Sequence, residues 1–470
     1  MKLFKNLIGD KAFYKMTIAI ALPIMIQNGI TNLVSLLDNI MVGTLGTEQM
    51  SGVSIVNQFV FIFNLVIFGA VSGAGIFTAQ FFGKGDMKGV RNTFRFKLVL
   101  NLVMATVGVA LFLLLQDNLI NLFLHEGESS GDLALTLEYG KKYLHIILIG
   151  MVPFSVSIAY ASTMRETGDT VMPMIASIAG VATNTLLNWV LIFGFLGAPA
   201  LGVQGAAIAT VISRFVELSV LVVYAHANTK RFPYLVGAFR GFAIPASLFF
   251  KIFKKAFPIM ANEFFWSLAI TMRNQCYSLR GLDAVAAQNI SSTLVNLTNV
   301  VYMAIGSAIA IVVGKMLGAG EIDRAKDTAK KMIAFSMMAA TVMGVLLSGA
   351  AFVFPLIYNT AESVRSLATY MMLIAAVAMP FSAFAFSTYF TLRSGGRVMV
   401  TIIFDSVFMW GIVIPLSAAL AYFTSMPIYP LYAICQLVEI TKLGIGLVLM
   451  KKVNWARQLD VISHSEKAGA

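Results

Sequence analysis

Apolar runs of membrane-spanning length follow one another along almost the whole chain, and this feature constrains the fold more than any other. A helix that crosses the hydrocarbon core of a bilayer needs roughly 20 predominantly apolar residues. Of the 470 residues, 58% are hydrophobic and only 12% are charged, which is far from the balance of a soluble domain. The sequence therefore predicts an all-α polytopic membrane protein.

Twelve such runs can be delimited, and we predict twelve transmembrane helices in two pseudo-symmetric six-helix lobes. The predicted spans are 14–45, 50–83, 90–124, 136–165, 171–195, 201–227, 248–281, 285–318, 326–358, 365–393, 398–425 and 429–453. Several of them exceed the crossing length, so these helices should tilt or project from the membrane. We predict an amino-terminal lobe over 1–227, a basic cytoplasmic linker over 228–247, a carboxyl-terminal lobe over 248–454 and a cytoplasmic tail over 455–470.

Basic residues are concentrated at alternate ends of these spans. They precede the first span and follow the second, eighth and twelfth, whereas the loop 125–132 is mainly acidic. By the positive-inside rule, both termini are predicted to be cytoplasmic, in a multi-pass protein of the inner (plasma) membrane. Residues 1–14 lack the features of a cleaved signal peptide. The net charge of +12 follows from this topology, and we expect no nucleic-acid partner because the basic residues flank helix ends.

An internal repeat relates the two predicted lobes. The run Ala-Leu-Pro-Ile-Met at 21–25 returns 235 positions later as Ala-Phe-Pro-Ile-Met at 256–260, and the same offset places Gly83 on Gly318. Since each copy has an even number of spans, the copies should share one orientation, with a cavity between them and alternating access by rocking. The alternative is a duplicated scaffold that does not transport.

One acidic residue, Asp38, lies within the first apolar run. A charge at the centre of a lipid-facing helix costs roughly 3 kcal/mol, so this carboxylate should face protein, water or an ion. Thr31, Ser35 and Asp38 share one helix face. Pro23 and its repeat partner Pro258 are the predicted sites of helix bending. The alternative places Asp38 at the outer membrane interface.

Two asparagines one helical turn apart, Asn184 and Asn188, lie in the fifth span. With Asp38 they would supply one carboxylate and two amide oxygens, the hard ligands that a small cation such as sodium prefers. Alternatively, they hydrogen-bond Asp38 and tune its proton affinity. A third interpretation is a simple link between helices, worth roughly 0.6 kcal/mol per bond.

Other intramembrane charges have less certain partners. Arg214 and Glu217 are three residues apart, as are Glu439 and Lys442, so each pair is predicted to neutralise itself along its own helix. Asp405 has no partner nearby in the sequence, and both an interfacial position and a place in an inner cavity remain open.

Several short motifs together resemble the MATE family of multidrug and toxic compound extrusion transporters. They are the run 41–46 after Asp38, Gly83-Lys84-Gly85 with its copy Gly318-Ala319-Gly320, the run 201–207, and Leu392-Arg393-Ser394-Gly395. The resemblance covers nearly the whole chain. It implies two lobes that open outward or inward in turn and that export organic cations in exchange for sodium ions or protons.

The resemblance also implies roles for individual residues. The first-helix aspartate that couples to the ion in this family maps onto Asp38, and polar residues of the fifth helix map onto Asn184 and Asn188. The seventh-helix glutamate of the NorM branch maps onto Glu263. Two positions depart from the family pattern: the DinF branch has an aspartate where this chain has Asn188, and the tenth-helix aspartate of NorM-type members falls near Ser382, which is not acidic.

These arguments define the predicted sites. Ion or proton coupling is assigned to Asp38, Asn184 and Asn188, where sodium is the metal considered. Substrate binding is assigned to a polar and aromatic set around the lobe interface: Gln27, Asn28, Asn262, Glu263, Trp266, Arg273 and Asn274. By the 235-residue offset, Arg273 corresponds to Asp38, so the two lobes are expected to have different functions.

Two other classes of protein compete with this interpretation. A lipid-linked oligosaccharide flippase of the same superfamily would need an anion-friendly cavity, which Arg273 favours, but it often has fourteen spans. An intramembrane enzyme would need paired catalytic carboxylates, a His-rich metal motif or a nucleophile elbow, and none is present in the sequence. We therefore expect a non-enzymatic, monomeric transporter of small molecules in the lipid bilayer, with sodium or a proton as coupling ion and no cofactor.

Overall fold

The computed structural model describes residues 7–121, 133–241, 243–358 and 360–459, and these residues are helical along most of their length, with no β-strand among them. The long helices run in chain order as α1 Lys11–Gly43, α2 Thr47–Lys84, α3 Met87–Asn121, α4 Leu133–Thr167, α5 Val171–Phe193, α6 Val203–Ala227, α7 Ala246–Ser278, α8 Leu282–Gly318, α9 Ile322–Ala350, α10 Glu362–Ser394, α11 Val398–Phe423 and α12 Ile428–Lys452. The all-α prediction is thus confirmed for the described residues.

The helices follow the predicted spans closely because long apolar runs leave few alternative boundaries. The ninth span is the main exception: α9 ends at Ala350, and a separate 3₁₀ turn, Phe354–Ile357, follows with Pro355 near its start. Among the described helices, eleven are long and apolar enough to cross a membrane, which defines a multi-pass membrane protein. The helix α7 is not among the eleven; it carries Lys251, Glu263 and Arg273 as well as apolar residues.

The helices form two compact units. One unit comprises the described residues up to Met25, Ala79–Asp86, and the described residues from Ala261 onward. The other comprises Ile26–Thr78 and Met87–Met260. Buried side chains such as Ile309 and Leu392 form the core of the first, and Val56 and Ile67 belong to that of the second.

The helices α1 and α7 each contribute to both units. Pro23 lies inside α1 two residues before the change of unit at Met25, and Pro258 lies inside α7 two residues before the change at Met260. A proline inside a helix removes one backbone hydrogen bond and loosens the turn before it. The predicted domain bounds follow the sequence repeat instead of these contacts, and they stay a prediction.

Within the first unit, the ends of α2 and α8 cross at the glycine pair that the repeat identified. A Cβ atom on Gly83 would lie 2.0 Å from the carbonyl oxygen of Lys315, and one on Gly318 would lie 2.0 Å from that of Gln80. Only glycine allows two backbones to approach so closely. This contact explains why both copies of the motif begin with glycine.

We expect Gly318→Ala to destabilise the protein, because the added methyl group meets backbone atoms that cannot rotate away. Overpacking of this kind costs about 1–3 kcal/mol, and thermal unfolding of the purified protein in detergent would measure it. Gly349→Ala on α9 is the matched control, since no atom lies within 4 Å of its added Cβ. An unchanged unfolding midpoint for Gly318→Ala would show that the two helices are farther apart at this crossing than the 2.0 Å distance indicates.

The segment that follows α12 packs against this crossing. The Gln80 side-chain amide donates to the Ser394 carbonyl at 2.9 Å and accepts from the Leu459 backbone N–H at 2.9 Å. The Gln458 amide donates to the Gly318 carbonyl at 2.9 Å, and Trp455 is buried. Residues 455–459 of the predicted tail therefore belong to the folded unit, whereas 460–470 lie outside the described residues.

The predicted linker packs against α3 in the second unit. The Arg95 guanidinium donates to the carbonyl oxygens of Gly237 at 2.7 Å, Ala238 at 2.8 Å and Ala243 at 3.2 Å. Arg91 donates to the Tyr234 carbonyl at 3.2 Å. Basic residues on α3 thus hold the backbone of the segment between α6 and α7. The acidic loop 125–132 lies outside the described residues.

Candidate functional site

The second unit brings Asp38 of α1 against both predicted asparagines of α5. The Asn188 amide nitrogen donates to Asp38 Oδ1 at 2.6 Å, and it lies 3.3 Å from the side-chain amide of Asn184. Both asparagines are buried, while Asp38 is half-buried. A carboxylate in an apolar helix thus has polar neighbours, as the cost of burying it requires.

The Asn184 amide links Asp38 to the neighbouring helix α6. Its nitrogen donates to Asp38 Oδ2 at 3.0 Å and to Oδ1 at 3.1 Å, and its oxygen accepts from the Thr210 hydroxyl at 3.2 Å. This orientation satisfies both the amide nitrogen and the amide oxygen.

The donor set of the site suits a small hard cation. In the described part of the chain, Asn188 Oδ1 is buried and has no hydrogen-bond partner. With Asp38 it supplies carboxylate and amide oxygens, the ligand types that sodium and similar ions prefer. Thr210 on α6 is a neighbour that the sequence did not indicate, since a lone threonine in an apolar run has no distinguishing pattern.

Basic residues near this site are engaged elsewhere. Arg214 pairs with Glu217 at 3.3 Å, which confirms that predicted pair, and its guanidinium lies 4.9 Å from the Phe154 ring centroid. Among the described residues, no lysine or arginine nitrogen lies within 4.0 Å of the Asp38 carboxylate. The Asp38 site therefore has no ion-pair partner of its own within the described chain.

Thr31 and Ser35, which share a face of α1 with Asp38, donate their hydroxyl groups to the backbone of the same helix. Thr31 Oγ1 donates to the Gln27 carbonyl at 2.9 Å, and Ser35 Oγ donates to the Thr31 carbonyl at 3.0 Å. Such bonds to the preceding turn satisfy a hydroxyl within an apolar environment and tend to bend the helix. Gln27 and Asn28, predicted to bind substrate, are half-buried in this unit.

The first unit holds a second polar cluster, built around Glu263 and Asn262 of α7. The Tyr389 hydroxyl donates to Glu263 Oε1 at 3.4 Å. The Asn262 amide nitrogen donates to Asp405 Oδ2 at 3.2 Å, and Ser406 Oγ donates to Asn262 Oδ1 at 2.6 Å. Asn262 is buried, whereas Glu263 is half-buried. Asn262 therefore links Asp405 and Ser406, while Glu263 is held by Tyr389 alone among the hydrogen bonds described.

The predicted pair Glu439–Lys442 does not form, and this prediction was wrong. Lys442 Nζ lies 3.2 Å from Asp405 Oδ1 on α11, while Glu439 Oε1 lies 2.7 Å from Arg273 Nη1 on α7. Glu439 lies within a 3₁₀ turn, Val438–Thr441, and Lys442 follows it directly, so the two residues do not keep α-helical register. Both charges therefore pair with other helices, and Asp405 has a partner that its sequence neighbours did not supply.

The remaining predicted substrate residues have varied surroundings. Arg273 is buried and engaged by Glu439 and, at 3.5 Å, by Gln436. Trp266 packs against an apolar cluster that includes Ala269 and Phe408. Asn274 is exposed on α7. Their roles in substrate binding stay predictions.

The fold and these sites define the class of protein: a multi-pass α-helical membrane protein in which carboxylates on the helices are held by amide side chains of neighbouring helices. The chain belongs to the MATE family of transporters, because the MatE sequence profile matches residues 23–190 and 258–419, more than half of its length. The two matched stretches begin at the paired prolines, Pro23 and Pro258.

Curated relatives support this membership. The chain is 30% identical to the probable multidrug resistance protein NorM of Thermotoga maritima over 362 residues, which cover 75% of this chain and 74% of the relative. It is 23% identical to the probable multidrug resistance protein YoeA of Bacillus subtilis over 86% of both chains.

Solved structures show the same fold. An outward-facing multidrug resistance MATE family transporter of the MOP superfamily superposes with a TM-score of 0.85 over 98% of both chains, at 18% identity. A MOP superfamily transporter from Pyrococcus furiosus gives a TM-score of 0.82 over 96% of this chain and 98% of that one, at 19% identity.

Proposed function

We propose that this chain is a multidrug efflux transporter in which a sodium ion or a proton binds at Asp38 and drives the export of organic cations by alternating access. The observation that carries the proposal is the Asp38 carboxylate between the amides of Asn184 and Asn188. The proposal includes twelve crossings in two six-helix lobes, with α7 as the seventh, and a monomer in the inner membrane with both termini cytoplasmic.

The hydrogen bonds to Asp38 suggest how occupancy of the site affects neighbouring helices. With Asp38 ionised, the amide nitrogens of Asn184 and Asn188 donate to its carboxylate, and the Asn184 oxygen accepts from Thr210. A proton or a cation that neutralises Asp38 is proposed to weaken the bonds from both amides. Occupancy on α1 thereby changes hydrogen bonds on α5.

The helix α1 would carry this signal further along the chain. Its residues from Ile26 onward pack with the unit that holds the Asp38 site, whereas those up to Met25 pack with the other. Pro23 lies next to that change, where the backbone lacks one hydrogen bond. Neutralising Asp38 is proposed to let α1 bend near Pro23 and to lower the affinity for substrate.

Glu263 is the proposed contact for the positive charge of the substrate. Among the described residues its carboxylate accepts only a 3.4 Å hydrogen bond, from Tyr389, so it retains acceptor capacity for a ligand. Arg273, which favoured an anionic substrate from the sequence, is neutralised by Glu439 at 2.7 Å. This pairing weakens the case for a lipid-linked oligosaccharide flippase.

Efflux from proteoliposomes under separate gradients would test the proposal. We expect a fluorescent organic cation to be moved against its gradient when either a sodium gradient or a pH gradient is imposed. A membrane potential of about 100 mV adds about 2.3 kcal/mol for each inward charge, so it should increase the rate. Failure of both gradients to drive the dye, with protein correctly inserted, would contradict coupled export.

A further inference from the structure

The ion pair between Asp405 and Lys442 lies on two irregular stretches of helix. Asp405 belongs to the π-helical segment Ile403–Val407 of α11, and Lys442 follows the 3₁₀ turn Val438–Thr441 of α12. Departures from α-helical geometry inside a helix often mark functional sites, since they have a cost in stability. The position of this ion pair at two such departures therefore indicates a role other than packing.

The carboxylate of Asp405 is fully engaged. Its Oδ1 lies 3.2 Å from Lys442 Nζ, and its Oδ2 accepts from the Asn262 amide at 3.2 Å. The oxygen of that amide accepts in turn from Ser406 at 2.6 Å. This is a carboxylate with an asparagine from a neighbouring helix, the same arrangement as Asp38 with Asn188, and here a lysine also contacts the carboxylate.

The ammonium group of Lys442 is enclosed. Its side chain is 6% exposed, and its Nζ lies 5.0 Å from the Phe408 ring centroid and 5.9 Å from that of Phe404. Aromatic faces attract a cation, most strongly where water is excluded. The cage of one carboxylate and two rings is thus suited to a monovalent cation, and the lysine fills it.

A second buried cation lies in the same unit. Arg393 is 3% exposed, and its guanidinium lies 5.7 Å from the Tyr389 ring centroid. Arg393 and Glu263 thus contact the same tyrosine, since the Tyr389 hydroxyl donates to Glu263. Of Glu263 and Asp405, only Asp405 has an ion-pair partner within 4.0 Å, whereas Asp38 has no lysine or arginine within that distance among the described residues.

We infer that Asp405 forms a second cation site, that Lys442 is its tethered cation, and that a free monovalent ion enters only when the lysine is removed. Without the ammonium, the Asp405 carboxylate would offer hard oxygen ligands to sodium. The inference goes beyond the proposed function and does not require Asp38 to couple to an ion.

Sodium binding to purified full-length protein at mildly alkaline pH would test this, with Asp38→Asn in every variant so that the first site contributes nothing. We expect Asp38→Asn alone to bind no sodium, and Asp38→Asn/Lys442→Met to bind one ion per molecule, with an unfolding midpoint that rises with sodium concentration. With Lys442→Arg in place of Lys442→Met, a tethered cation remains, and this variant should again bind no sodium. Adding Asp405→Asn to the methionine variant should abolish binding as well.

The inference is overturned if the Lys442→Met variant binds no more sodium than its Asp38→Asn parent. It is also overturned if the Lys442→Met variant cannot fold even in high sodium, because the free ion is expected to replace the ammonium group. Sodium binding that survives Asp405→Asn would place the ion elsewhere and would equally contradict the assignment.

Discussion

Asp38→Asn is expected to abolish gradient-driven export while the protein remains folded and inserted. The asparagine retains an oxygen that accepts from Asn188, so the packing of α1 against α5 is preserved. The lost charge removes the attraction for the coupling ion, about 4 kcal/mol for two unit charges about 4 Å apart at an effective dielectric constant of about 20. This corresponds to about a thousandfold lower affinity. Dye efflux from cells and from proteoliposomes would measure the loss.

The matched control is Asp117→Asn, which removes another carboxylate from a membrane-spanning helix. Asp117 is 56% exposed and pairs with Lys141 on α4, so its neutralisation should leave export unchanged. Normal amounts of each variant in the membrane must be verified by immunoblot. Full dye resistance of Asp38→Asn cells at wild-type protein levels would refute the role assigned to this carboxylate.

Glu166→Gln is expected to cause the largest loss of stability. Glu166 pairs with Lys97, whose side chain is entirely buried and whose Nζ also donates to Ser162 and Thr163 at 3.2 Å. Removing one partner of a buried ion pair costs about 3–5 kcal/mol, because the other charge remains without compensation. Thermal unfolding in detergent, followed by circular dichroism, would measure the effect.

Two further variants distinguish the loss of stability caused by an uncompensated buried charge from the loss caused by one missing hydrogen bond. Lys97→Met/Glu166→Leu removes both charges and should recover most of the lost stability, since an apolar pair of similar volume is often no worse than a buried ion pair. Glu138→Gln breaks the exposed pair with Lys142 on the same helix and should leave the unfolding midpoint unchanged. If Glu166→Gln unfolds like Glu138→Gln, the environment of Lys97 is more hydrated than its burial indicates.

The helices and the Asp38 site could be predicted from the sequence because both follow from the apolar core of the bilayer. Apolar runs fix where helices cross, and a carboxylate or amide within them must face another polar group. Asp38, Asn184 and Asn188 were therefore expected together, and the structure brings them together. Thr210 could not be identified, since which residue of α6 faces α5 depends on helix packing, not on local spacing.

The pairing of Lys442 could not be predicted for a different reason. Spacing along a sequence indicates which side chains share a face only while the helix stays regular. The π-helical segment at Asp405 and the 3₁₀ turn before Lys442 both change that register. The bounds of the two compact units could not be predicted either, because α1 and α7 each pass from one unit to the other within a continuous helix.

The packing of residues 455–459 against α2 and α8 has a consequence for biosynthesis. The Leu459 N–H bonds to Gln80, 379 residues earlier in the chain, and Gln458 bonds to the Gly318 carbonyl. During translation, α2 and α8 can meet as soon as both are made, but these two hydrogen bonds can form only after residues 458 and 459 have left the ribosome. The tail segment is therefore added to a helix crossing whose two helices are already synthesised.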